Sequence, residues 1–89
     1  MGLRSCDPFD IPAPADLPAA IARVRALIVG EGGTFTGDTT AGRFAGLTPV
    51  GRVEGRYTVQ GAVIRITITS KPLVAPCGVI ESKIRRYFV

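Results

Sequence analysis

Any acid, base or nucleophile in this chain has to come from two cysteines, seven carboxylates and its hydroxyls, because the 89 residues contain no histidine. A closed zinc site wants four nitrogen or sulfur ligands, so two thiols without imidazole predict no metal and no other cofactor. Cys77 is the single residue with an argument for reactivity: it stands at the start of a predicted helix, where the dipole lowers a thiol's pKa. It also shares a helical face with Ile80 and Ile84, which reads as packing. With no sign of an oxidising address, Cys6 and Cys77 are both expected as free thiols. Asp38 falls in a turn, where an aspartate hydrogen-bonds its own backbone. Glu31 reads as a loop acid, Glu54 as a neighbour of arginines, and no two carboxylates are placed by pattern on one cleft. The segment Gly30-Glu31-Gly32-Gly33 follows a helix and does not join a strand to one, so it lacks the setting of a phosphate-binding loop.

Charge is the stronger signal. The formal net charge is +4. Up to Asp16 the one base is Arg4, against Asp7, Asp10 and Asp16, so the rest of the chain is more basic than the whole. Four arginines, Arg43, Arg52, Arg56 and Arg65, lie in segments that alternate apolar and polar residues, the period of a strand with one covered face. They are the candidate contact to a protein partner or an anion. Nucleic-acid-binding sheets usually add exposed aromatics for stacking, and the polar positions here carry none. Solvated surface charge is the plain alternative reading.

The elements that would position these residues follow from periodicity. Leu17, Ile21, Val24 and Ile28 recur at spacings of four, three and four, with Asp16 as N-cap, Pro18 in the first turn and Gly30 as C-terminal stop. The outer side of that helix, Ala19, Ala22, Arg23 and Ala26, is smooth enough for contact with a second copy. Phe35 and Phe44 flank a Gly- and Asp-rich turn and predict one hairpin. Leu47 to Gly51 reads as a connection through Pro49. A second hairpin is expected over 52–69 around a Gln60-Gly61 turn. Its register would set Tyr57 opposite Ile64 and Arg56 opposite Arg65, an unfavourable pairing of like charges that Glu54 partly relieves. Pro76 introduces a closing helix with Cys77, Ile80, Ile84, Tyr87 and Phe88 on one side and a Glu81–Arg85 pair on its flank.

The fold class predicted is α+β: a four-stranded antiparallel sheet of two hairpins, with an N-terminal and a C-terminal helix packed on one face. Residues 1–15, with Pro8, Pro12 and Pro14, read as an extended arm and 16–89 as one domain. No apolar run approaches the roughly 18 to 20 residues of a membrane-spanning helix. Gly2 suggests myristoylation, but Cys6 stands where that pattern wants Ser or Thr. Leu3-Arg4-Ser5-Cys6 ends like a lipoprotein cleavage box without the hydrophobic segment before it, and a cytoplasmic location is expected.

The run Gly51-Arg52-Val53-Glu54-Gly55-Arg56-Tyr57-Thr58-Val59, the strand Ile64-Arg65-Ile66-Thr67-Ile68, and Ile80-Glu81 followed by Ile84 resemble small bacterial domains, among them the polyhydroxyalkanoate-system protein family. The resemblance covers about the last 40 residues. It implies a helix, sheet and closing-helix order and carries over no catalytic residue. The function expected is a non-enzymatic interaction module, self-associating and contacting a macromolecular partner. The alternatives are anion or nucleic-acid binding through the arginine face and, third, a thiol-dependent enzyme.

Overall fold

A computed structural model describes residues 6–48 and 51–88. The chain is α+β, but the antiparallel sheet has five strands where four were expected. In chain order these are β1 (Phe9–Pro12), helix α1 (Leu17–Gly30), β2 (Thr34–Gly37), β3 (Ala41–Thr48), β4 (Gly51–Gln60), β5 (Val63–Ser70) and helix α2 (Cys77–Tyr87). Across the sheet the order is β1-β5-β4-β3-β2, so β2 to β5 form a meander and the first strand closes on the last.

The extra strand comes from the segment read as an arm. Phe9 pairs with Ile66 and Ile11 with Ile64, with Ile11 buried. Two apolar positions are too few to show a period, and the prolines masked the rest. Pro12 is tolerated because β1 is an edge, where a missing N–H costs no ladder bond. The reading of Gly2 and the first five arm residues lie outside the described residues, as do 49–50; the connection expected over Leu47 to Gly51 is shorter than read, since Leu47 and Thr48 end β3 and Gly51 begins β4.

Helix α1 begins as its sequence predicts, with the backbone N–H of Ala19 donating to Asp16 Oδ1 at 3.3 Å. Its stop lies slightly later. Gly30 is still helical, Glu31 is the C-cap, and the left-handed residue is Gly32 at φ +90°. Ile21, Val24 and Ile28 are buried, as are Ile80 and Ile84 of α2. They join Val53, Tyr57, Ile64, Ile66 and Ile68 in one core. The helices are not placed as a symmetric cover: α1 lies over the β2–β3 edge and against α2. Arg25 fixes that edge, donating to the Gly37 carbonyl at 2.9 Å while its guanidinium sits 5.5 Å from the Phe35 ring centroid. At the other edge Arg85 of α2 donates to the Asp10 carbonyl at 3.1 Å and lies over Phe9.

The expected free thiols are a disulfide instead: Cys6 is bonded to Cys77 across a separation of 71 residues. It ties the segment before β1 to the start of α2. No free cysteine is left, and the thiol-dependent reading loses its one candidate. The register of the second hairpin also differs. The turn is Gly61-Ala62, with Gly61 at φ +61°, so Gln60 faces Val63, Val59 faces Ile64 and Tyr57 faces Ile66. A two-residue displacement keeps every side chain on its expected face and changes only its partner.

Candidate functional site

The face of the sheet turned away from the core carries all four arginines singled out by sequence, and each is exposed. Pairing decides which of them are available. Arg65 donates through Nε to Asp10 Oδ1 at 3.0 Å, across the β1–β5 pair that brings the two together. That hydrogen bond holds the Asp10 carboxyl below its ordinary value and raises the Arg65 guanidinium. Glu54 stands between Arg52 and Arg56 on the exposed face of β4, but its ion pair among the described residues is with Arg52, which donates to it at 3.2 Å.

Arg43 and Arg56 have no carboxylate or hydrogen-bond partner among the described residues, and they are direct cross-strand partners. The opposed arginine pair is therefore Arg43–Arg56. The expected Arg56–Arg65 pair is replaced, because the later turn sets Arg56 opposite Thr67 and Arg65 opposite Thr58. Side chains directly opposite on one face have Cβ atoms about 4.5–5.5 Å apart, and like charges there are destabilising. Thr36 lies opposite Arg43 on the far side, so four strands present a row Thr36, Arg43, Arg56, Thr67. With strands roughly 4.8 Å apart the row is about 14 Å long. Two adjacent guanidinium groups flanked by two hydroxyls suit a carboxylate or other oxyanion seated between them.

The aromatics are elsewhere. The chain has four Phe, two Tyr and no Trp. Tyr57 and Phe88 belong to the buried core, and Phe9, Phe35, Phe44 and Tyr87 pack against it. The arginine row thus has no ring on which a base could stack.

The second sequence-derived surface, Ala19, Ala22, Arg23 and Ala26 of α1, is exposed along its whole length. Among the described residues no group of His, Cys, Asp or Glu is arranged to hold a metal ion, and no helix is long and apolar enough to cross a membrane. Asp38 takes its expected local role, accepting from the backbone N–H groups of Thr40 at 2.8 Å and Ala41 at 3.2 Å. Those two donors hold its carboxyl below the ordinary value. Glu31 is no free loop acid: Tyr87 donates to it at 2.7 Å and Lys83 pairs with it at 3.4 Å. Sequence spacing held no sign of that contact, which joins the end of α1 to the end of α2.

No family model, curated protein or solved structure matches the chain.

Acid should weaken the fold through these carboxylates. Asp10 and Asp38 ordinarily titrate at 3.8 and Glu31 at 4.5, and all three are lowered in the folded state by their donors. A lowered folded pKa contributes stability above the unfolded value and loses it as pH falls towards the folded one. The urea midpoint should therefore begin to drop as pH passes below 4.5 and keep dropping below 3.8. A midpoint that is level or rising through that range would contradict the assignment.

Proposed function

We propose that the protein is a non-enzymatic interaction module whose open sheet face docks an acidic segment of a protein partner, with Arg43 and Arg56 as the contact. The observation that carries this reading is the uncompensated pair itself. Neighbouring arginines are neutralised by Asp10 and Glu54, while the two in the middle of the sheet face each other without a counter-ion. Such a pair costs stability in the free protein and repays it when an anion bridges the two. The absence of aromatics from this face favours carboxylates over nucleic acid as the source of that anion.

The reading makes an uncommon demand of one substitution. Arg43→Glu replaces a repulsive cross-strand pair by an attractive one, worth about 0.2–1 kcal/mol, so it should leave the fold intact or slightly firmer. It should at the same time weaken binding of a glutamate-rich peptide at least tenfold, which is about 1.4 kcal/mol. Arg65→Gln, which removes an arginine already engaged by Asp10, should change binding far less. Titrations of a polyglutamate peptide, followed by anisotropy at several salt concentrations, make the comparison. Equal binding by wild type and Arg43→Glu would refute the proposal. Preference for a single-stranded oligonucleotide over the peptide would assign the face to nucleic acid instead.

Self-association is a second reading, supported by the exposed Ala19, Ala22, Arg23 and Ala26 stripe and by Leu27 and Val29 of the same helix, 40% and 52% exposed. Light scattering of wild type against Ala22→Glu tests it, with a loss of dimer mass as the supporting result. The Cys6–Cys77 bridge bears on location. It favours an oxidising compartment over the cytoplasm that the sequence suggests, since thiols are kept reduced in the cytosol.

A further inference from the structure

On the helix side of the sheet, away from the arginine row, a cavity of about 160 Å³ opens between β3–β4 and the two helices. Its walls are apolar: Ile28, Phe44, Val53, Ile80 and Ile84. Gly46 lies on its β3 wall and leaves space there. That glycine has no positive φ, and a methyl group built on it would meet nothing within 4 Å. By contrast Gly55, one strand over, is filled by the ring of Phe44. Glycine weakens a strand interior through its flexibility and its missing side chain, and here neither backbone geometry nor a close neighbour calls for it. What it does is keep a hole open beside Val53, its cross-strand partner.

The mouth differs in character. Glu31 and Tyr87 line the rim with Lys83, and a wider groove continues from them past Ser82 and Arg86. Lys83 is tied to Glu31 by an ion pair whose side chains are about half exposed, of the kind that contributes little and yields to a competitor. Arg86 is exposed and has no ion-pair partner among the described residues. Two cations against one carboxylate leave the groove net positive. Val79 and Leu47, 65% and 54% exposed, extend the apolar wall outward to it.

We propose that this cavity binds a small amphipathic carboxylate, its hydrocarbon end beside Gly46 and its carboxylate at Lys83 and Arg86. An apolar cavity of roughly 150 Å³ takes benzene, so the hydrocarbon portion is about six carbons. The apolar wall favours the chain, and the cationic groove selects the head group. The site shares no residue with the arginine row, so either can fail without the other.

Hexanoate is the probe, with hexanol as its uncharged counterpart, and binding is followed by amide chemical shifts in the intact oxidised protein. Hexanoate should bind saturably with a dissociation constant on the order of 1 mM, as befits so few atoms. The shifts should centre on Phe44, Val53 and Ile84. Hexanol should bind at least fivefold more weakly, and Lys83→Gln with Arg86→Gln should bring hexanoate down to the hexanol value. Gly46→Leu should plug the hole, raise Tm and lose hexanoate binding. Gly46→Val is a smaller plug that tests the same point should the leucine variant not fold. No saturable binding, or undiminished binding by a folded Gly46 variant, overturns the site. Equal affinity for hexanol and hexanoate overturns the carboxylate assignment.

Discussion

Reducing the Cys6–Cys77 bridge should take away at least a third of the protein's stability. The bond closes a loop across 71 residues of an 89-residue chain. Chain-entropy arguments put the effect of so long a loop at about 4 kcal/mol. A domain of this size has a total of about 4–13 kcal/mol, so the loss ranges from a third to the whole. The bridge also reinforces the ends of two elements: β1 is only four residues long, and the N-cap of α2 is Pro76, which makes no side-chain cap. Thermal unfolding with and without reductant, and of Cys6→Ser with Cys77→Ser, is the measurement. The expected result is a Tm lower by about 15–30 °C in both reduced and substituted protein. Superimposable unfolding curves would mean that the bridge adds nothing.

The second large effect is expected at Tyr57. Its side chain is 2% exposed, stacks on Phe35 with ring centroids 5.6 Å apart, and donates its hydroxyl to the Asp38 carbonyl in the β2–β3 turn. Gly42 lets the ring pass: a Cβ there would fall 2.4 Å from a ring carbon of Tyr57. One residue thus fills the core and anchors a turn. Tyr57→Ala should cost about 3–5 kcal/mol through the cavity it leaves. Tyr57→Phe removes only the hydroxyl and should cost about 1–2 kcal/mol, because the Asp38 carbonyl loses its donor. Burial raises the Tyr57 pKa, with the Asp38 charge adding to it, so alkaline titration should find the phenol ionising above its ordinary value of 10.0. A Phe variant that unfolds as easily as the Ala variant would show that the ring's packing had been overrated.

Both helices were legible because their periods are long and repeated, as in Leu17, Ile21, Val24 and Ile28. The alternation through Ile64, Ile66 and Ile68 was equally clear, and it decided which face the arginines share. Strand β1 was not legible, since Phe9 and Ile11 provide a single alternation between prolines. The disulfide was not legible either: nothing local marks two cysteines 71 residues apart as neighbours, and their pairing follows from β1 docking beside β5. Of the arginines' placement, the face was legible and the pairing was not. Face is a matter of parity and survived a misplaced turn, whereas partnership depends on register, and register moved Arg56 from Arg65 to Thr67 and Arg43. The cavity at Gly46 had no signal at all, because a glycine that leaves space and one that makes room for a ring look the same in one dimension.

The path of the sheet also bears on how it assembles. Strands β2 to β5 succeed one another through short turns and can zip up as they leave the ribosome. Strand β1 is synthesised first, yet its partner β5 arrives some fifty residues later, with Asp10 and Arg65 55 positions apart. The N-terminal segment must therefore wait, idle, while the meander builds. The bond that bolts it in place needs Cys77 as well, so it can close only once nearly the whole chain has been made, and in a reducing medium the seam between β1 and β5 loses that bolt.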